Sequence, residues 1–511
     1  MLTSLRNAIS EASGQAWTYA ELDARSSAIA VQILERAAHN SETVAILMPH
    51  GALLIAAILG VLKAGKIYVA LDANDPAPRL QAMLTDAGAH ILLTDETNRA
   101  LAESLMTSRI AILEISENVF NTSSQSLPNV APEAGAWLMY TSGSTGTPKG
   151  VWQNHRGVIH HAEVYCELIQ LTPDDRLSLL TSCSLAASAT AIFSALLSGA
   201  MLCPFHLRSQ GVERLAVWLR EQRITVLHCV PTVFRHLART REQHGRFESI
   251  RLIRLGGEPV LRGDVEAFQK LCSKSASLMH AFSSTETGLV SALMIDQKSA
   301  LPDLRIPVGR AVRDVEIVVS DANGEPVRVG EEGVISIRSA YLSQGYWRQP
   351  EATSSAFQKV GSDSQVRIFH TSDQGRFRAD GLLEHLGRGD QQVKIRGRRV
   401  DLSEVEAALR ATDLFDDAVA AAPEDASGER RLSRMWFRAR TRMSLRKPSA
   451  TRCAHCCRKR CCQPILCEWR NCRRLRAAKP IAPRCHRCPR ARALVSVMKP
   501  DRAAALKKIS R

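Results

Sequence analysis

The chain has 511 residues, 45% of them hydrophobic, and a formal net charge of +16. Its longest apolar run, around 53–61, is too short to cross a bilayer, and the charged stretch 1–16 lacks the hydrophobic centre of a secretory signal, so the cytoplasm is the expected location. The charge is unevenly placed: residues 431–511 hold 25 Lys and Arg against only Glu468 and Asp501, while residues 1–430 are mildly acidic, so two compositions share one chain.

In chain order, short apolar strands are expected at 43–48, 91–94, 136–140, 225–229 and 251–255, and helices at 52–63, 212–222 and 264–271. Strands followed by helices imply an α/β fold with largely parallel sheets. From 316 to 338 two alternating strands flank the turn Asp321-Ala322-Asn323-Gly324, which predicts a β-hairpin. Residues 387–390 read as a linker. A basic strand is expected from 391 to 399 and an amphipathic helix from 404 to 410.

The run Thr141-Ser142-Gly143-Ser144-Thr145-Gly146-Thr147-Pro148-Lys149-Gly150 directly follows the expected strand at 136–140. Glycine lets a backbone approach a ligand closely, and successive N–H groups and hydroxyls make a concavity for anions. Lys149 adds a point charge suited to phosphate. No Lys-Ser or Lys-Thr follows the second glycine, so this is not a Walker-type loop.

This run resembles the signature loop of the adenylate-forming superfamily, which includes acyl-CoA synthetases, luciferases and the adenylation domains of nonribosomal peptide synthetases. Further motifs follow in the family's order: Trp17-Thr18-Tyr19-Ala20-Glu21-Leu22, the segment from Leu62 through Lys63-Ala64-Gly65 to Asp72, Gly256-Gly257-Glu258, Ser284-Thr285-Glu286, Gly345-Tyr346-Trp347, His370-Thr371-Ser372-Asp373, and Gly387-Arg388-Gly389-Asp390 running on to Gly397. The resemblance covers roughly 15–430. It implies a large α/β adenylation core with a β-barrel-like portion (1–386), then a hinge and the start of a small α+β subdomain (387–430).

It also implies a reaction and its site. ATP and a carboxylic acid would give an acyl-adenylate and pyrophosphate, and a thiol would then take the acyl group from the adenylate. That thiol would belong to an acyl or peptidyl carrier protein, which the peptide-synthetase-like motifs favour, or to CoA. Thr141, Ser142, Gly143, Ser144, Thr145, Gly146, Thr147 and Lys149 would hold the β- and γ-phosphates, and Gly256, Gly257 and Glu258 would form the adenine-side loop. Thr285 would contact the α-phosphate and Glu286 would ligate Mg²⁺, a hard cation that favours oxygen ligands. Asp373 would accept the ribose hydroxyls with Arg388 in support, and Asp390 would be the hinge. Taken alone, Asp373 reads as a turn residue and Glu286 as an acid at a helix N-terminus.

Two departures concern the backbone: Phe282-Ser283 replaces Tyr-Gly, and Ser372 replaces a glycine. A third concerns the acid. In Leu185-Ala186-Ala187-Ser188, Ala186 stands where amino-acid-activating relatives carry the aspartate that binds the substrate's ammonium. An ammonium buried without a counter-charge is costly. By alignment the rest of the pocket is Ala187, Thr190, His228, Ile253, Leu255, Ala281, Leu289 and Val290. It is apolar apart from Thr190 and His228, which suits an aryl, hydroxy, keto or fatty acid. His228 reads first as a packed strand-end residue.

Residues 431–511 carry nine of the 14 cysteines, all between Cys453 and Cys488. The pairs Cys453/Cys456 and Cys485/Cys488 have zinc-ligand spacing, and the flanking bases would suit nucleic acid. Nine cysteines in so short a stretch produce such pairs by chance, and hydrophobic periodicity is absent. The family instead continues with a small subdomain ending in a Gly-Lys-x-Asp-Arg loop, which this stretch does not spell. Read one base out of frame with GC-rich codons, residues 460–489 can spell Ser-Gly-Lys-Thr-Asp-Arg within a text similar to that C-terminus. The expectation is therefore a frameshift near Leu432 and a disordered basic tail at 431–511, with no role in nucleic-acid or membrane binding.

Overall fold

The computed structural model describes residues 4–36, 42–106, 110–116, 118, 126–141, 148–240, 245–299, 305–361, 365–390, 392–410, 415–425, 430–432 and 434–439. The phosphate-loop positions Ser142 to Thr147 and the cysteine-rich stretch lie outside the described residues. Among the described residues, no helix is long and apolar enough to cross a membrane.

Two large mixed sheets carry the molecule. The first has nine strands in the order Arg310–Ala311, Gly288–Ile295, Ser277–Ser284, Leu252–Gly256, Val226–Cys229, Arg176–Leu179, Met201–Pro204, Asn7–Ser10 and Ala16–Thr18. Its six central strands are parallel and its edges antiparallel. The second has seven strands: Gly345–Tyr346, Lys149–Asn154, Gly135–Thr141, Ile67–Ala70, Thr43–Leu47, Ile91–Thr94 and Ala111–Glu114. In it the last five strands are parallel. Strand Thr43–Leu47 is buried along its whole length, as expected of a parallel strand covered on both faces.

The helices His155–Ile169 and Ala186–Ser198 pack together and share one core with Tyr19–Arg36, Ala52–Lys63 and residues of both sheets. A second core lies on the other side of the nine-stranded sheet, among Leu207–Glu221, Pro231–Arg239 and Arg262–Leu271. Local chemistry sets the ends of these helices. The Asn154 side chain accepts a hydrogen bond from the Gly157 amide (2.9 Å) to start His155–Ile169, a standard N-cap. Gly199 ends Ala186–Ser198 in the left-handed conformation, φ 77°.

A five-stranded antiparallel sheet follows, built from Glu316–Ser320, Gly333–Ser339, Arg367–Phe377, Phe357–Lys359 and Leu383–Arg388. The hairpin expected here forms, but its second strand begins only at Gly333, because the turn at Asp321–Gly324 is followed by an irregular return. The segment 387–390 is not a free linker: Arg388 ends a strand and pairs opposite Asp373. The small module begins with a hairpin, Gln392–Ile395 and Arg398–Asp401, then helix Leu402–Arg410. Strand Phe415–Ala421 pairs with Arg434–Ala439, so regular pairing continues past residue 430.

Gly309 joins the nine-stranded and five-stranded sheets. Its carbonyl accepts from the Leu383 amide (2.9 Å), and it sits at φ +90°, where an added Cβ would lie 1.9 Å from the Ala292 carbonyl oxygen. Gly309→Ala should destabilise the fold by about 1–3 kcal/mol from the backbone conformation alone, and by more from the contact. A urea titration checks this; an unchanged midpoint would contradict the tight approach.

Candidate active site

Strand Gly135–Thr141 turns back antiparallel into Lys149–Asn154, with Thr141 opposite Lys149. The phosphate-loop segment thus joins two hydrogen-bonded strands rather than a strand and a helix. The Lys149 ammonium lies over the Tyr346 ring, 4.2 Å from its centroid, a favourable placement for a cation. Burial lowers its pKa; Glu286 opposes that shift and Arg399 adds to it.

Thr285 and Glu286 occupy the turn between antiparallel strands Ser277–Ser284 and Gly288–Ile295, so Glu286 is not at a helix N-terminus. Glu286 is 1% exposed. Its Oε1 accepts from Arg399 Nη1 (2.9 Å), while Oε2 is buried with no hydrogen-bond partner among the described residues. Burial pushes its pKa up, yet the Arg399 charge and local hydrogen bonds outweigh it and hold the carboxylate ionised. A buried carboxylate oxygen without a partner has the donor chemistry for a hard divalent cation. Among the described residues no group of three or more His, Cys, Asp or Glu could hold a metal, so such an ion would rely on substrate oxygens for its other ligands.

Asp373 lies within strand Arg367–Phe377 rather than in a turn. His385 Nε2 donates to its Oδ1 (2.9 Å), and Arg388 Nη1 to its Oδ2 (3.3 Å). Burial would raise its pKa, but the His385 hydrogen bond and the charges of His385, Arg388 and Lys394 bring it down to about 2. Arg388 also holds Asp390 through two hydrogen bonds, of 2.9 and 2.7 Å. Ser372 sits in the same strand without a positive φ, and its carbonyl accepts from the Gly389 amide (2.8 Å), so that departure needs no unusual backbone.

The hairpin after Asp390 turns at Arg396 and Gly397, both at positive φ (51° and 72°), as a two-residue type I′ turn requires. Its tip docks on the core: the Gly397 amide donates to Glu258 Oε1 (2.8 Å), and Glu258 Oε2 accepts from the Thr232 amide and hydroxyl (2.9 and 2.8 Å). Glu258 thereby joins the Gly256-Gly257 loop, the start of helix Pro231–Arg239 and the small module. Arg398 pairs with Asp72 (2.7 Å) and Asp75 (3.4 Å), Arg399 with Glu286, and Arg79 with Glu404 (3.2 Å). Lys394 is partly buried near the same acids; burial lowers its pKa, while Asp373 and Glu286 oppose the shift. Lys149, Glu286, Arg388, Asp373 and Asp390 are therefore linked electrostatically in one cluster. Sequence reasoning assigned no role to His385, Lys394 or Arg399. The basic strand at 391–399 was the available signal for the latter two, and none marked His385.

The acyl-side residues divide. Ala186 packs against the core cluster that holds Ala189, Tyr165, Ala281 and Leu289, and Ala187 and Thr190 lie on the same first turns of helix Ala186–Ser198. Ile253 and Leu255 face the second core, beside Phe205 and Trp218, and Val290 faces a third with Phe282. The structure does not bring these three together with Ala281 and Leu289. Strand alternation is the cause: His228, Arg254 and Met279 are register partners on three adjacent parallel strands, and Gly256 pairs with Ala281. His228 is buried, and Arg254 Nη1 hydrogen-bonds its Nε2, which leaves the proton of a neutral ring on Nδ1. Burial and the adjacent Arg254 push the His228 pKa well down.

Comparison with known proteins fits this geometry. The AMP-binding enzyme family matches residues 3–347. Malpinin synthetase of Mortierella alpina is 32% identical over 406 residues, which are 78% of this chain and 5% of that protein. Tyrocidine synthase 1 of Brevibacillus parabrevis is 30% identical over 412 residues, 80% of this chain and 37% of that protein. The chain thus spans well under half the length of the curated relatives it matches. Among solved structures, the nonribosomal peptide synthetase FmoA3 superposes with a TM-score of 0.68 at 27% identity, covering 75% of this chain and 41% of that one.

Proposed function

We propose that this chain, which belongs to the AMP-binding enzyme family, activates a carboxylic acid with ATP as an acyl-adenylate for transfer to a thiol. The acceptor is a carrier-protein pantetheine, the partner that suits likeness to a nonribosomal peptide synthetase, with CoA as the alternative. Adenylation turns a poor leaving group into a good one, and the protein's share is positioning and charge neutralisation. Lys149 and the Thr141 loop would hold the phosphates, Thr285 would lie at the α-phosphate, and Asp373 with Arg388 would hold the ribose. Asp390 would be the hinge of the small module. A cytoplasmic location belongs to the same proposal.

The observation that carries this reading is Glu286: buried, ionised, and left with one oxygen unpartnered beside Lys149 and Arg399. Mg²⁺ fits that oxygen and would supply charge neutralisation at the phosphates. For Oε1 to turn to the ion as well, Arg399 must withdraw.

Catalysis by the chain as it stands is a separate matter. The Gly-Lys-x-Asp-Arg loop is not spelled by residues 431–511, and we attribute this to a frameshift near Leu432 that impairs turnover. The expected result is ATP binding with little acid-dependent ATP–pyrophosphate exchange by the 511-residue chain. Robust exchange would refute the impairment. Resequencing the codons from Glu429 to Met435 tests the frameshift directly.

A further inference from the structure

Ala186 removes the acid expected opposite a substrate ammonium, and the neighbouring strand Leu252–Gly256 carries a buried base. Arg254 is 5% exposed, in the middle of strand Leu252–Gly256. Its Nη1 meets neutral His228 and its Nη2 donates to Ser283 Oγ (3.4 Å). Its Nε is buried without a partner, and Arg254 forms no ion pair with Asp or Glu among the described residues. The Tyr165 hydroxyl, fully buried, also lacks a partner. The two side chains are near enough to perturb each other's ionisation, and the Tyr165 ring stacks on His228 at 6.1 Å. A buried cation and a buried hydroxyl, both short of acceptors, are costly unless something supplies one.

The location fits the acyl group. The Tyr165 and Ala281 side chains share a core with Ala189 and Leu289, with Ala186 packed against it. Arg254 lies over Gly256, where an added Cβ would be 3.4 Å from its Cζ. Ser283 stands two residues ahead of Thr285, at most about 7 Å away along the chain. A ligand whose carboxylate reacts near Thr285 could therefore reach Arg254 with its far end.

We propose that the acid taken by this chain carries a second carboxylate, and that Arg254 and Tyr165 hold it: the substrate class is a short dicarboxylic acid, activated at one end and anchored at the other. The assignment rests on the adenylation reading for which end reacts. The guanidinium supplies paired N–H donors in the geometry a carboxylate accepts. An α-ammonium, one carbon from the reacting carboxylate, would meet Ala186 and no counter-charge.

The test is calorimetric titration of the 511-residue chain with dicarboxylic acids from succinate to isophthalate, each beside its own half-amide, with and without a non-hydrolysable ATP analogue. At least one diacid should bind about tenfold or more tightly than its half-amide. Arg254→Met should abolish that preference and raise the thermal midpoint of the unliganded protein, since it removes an unpaired buried charge; Arg254→Lys should keep the sign of the preference. Half-amides that match their diacids in every pair would overturn the inference, as would a preference that survives Arg254→Met. If the analogue binds and no diacid does, the inference falls and the adenylation reading stands. If the analogue fails to bind, the adenylation reading falls, and the acid titrations still decide the charge preference.

Discussion

Asp373→Ala should weaken ATP binding by about a hundredfold or more while leaving the folded structure in place. A hydrogen bond to a charged group contributes about 1.5–3 kcal/mol. Two ribose hydroxyls on one carboxylate therefore account for about 3–6 kcal/mol, or 10²–10⁴ in affinity. The fold should tolerate the change because Arg388 keeps its two hydrogen bonds to Asp390. Titration with ATP and with a 3′-deoxy analogue separates the hydroxyls. An affinity within threefold of the parent chain would remove Asp373 from the ribose. The pH dependence has a definite sign. The folded carboxyl is held at about 2, below its ordinary 3.8, so its contribution to stability is whole above about pH 4 and is lost as pH falls toward 2.

Glu286→Gln is the second large effect. The substitution keeps shape and removes the buried charge proposed to hold Mg²⁺. In the parent chain, chelating the metal should weaken nucleotide binding; in the variant, binding should be weak already and indifferent to chelator. Any exchange activity that the chain retains should fall by about 10²–10³, the cost of losing one preorganised electrostatic group. Arg399 loses this ion pair but keeps its hydrogen bond to Gln392 and is not fully buried, so stability should change by less than about 2 kcal/mol. A variant that still responds to Mg²⁺ as the parent does would move the metal elsewhere.

The large elements were legible because their patterns are local. Helix Ala52–Lys63 and strand Ile91–Thr94 have the bounds that periodicity predicts. The family was legible because the phosphate run and the Asp373, Arg388 and Asp390 motifs each carry several unusual residues together. What failed to show was orientation. Ile253 and Leu255 were read as pocket residues, whereas Arg254 between them faces Tyr165 and His228. On a fully buried strand both faces are filled, so polarity does not announce which side is which, and a slip of one residue exchanges the faces. His385 was missed for a different reason: its role exists only through pairing with a strand that carries Asp373.

The row formed by His228, Arg254 and Met279 has an evolutionary consequence. One residue from each of three neighbouring strands shares one face, Met279 within the first core, while their chain neighbours Leu227, Ile253 and Leu278 hold the opposite core together. On the dicarboxylate proposal, recognition and structural support would be written on alternate letters of the same strands. A lineage could rewrite the first set a letter at a time and change its chemistry without disturbing the second. If Arg254 holds the substrate as proposed, it would be one such letter.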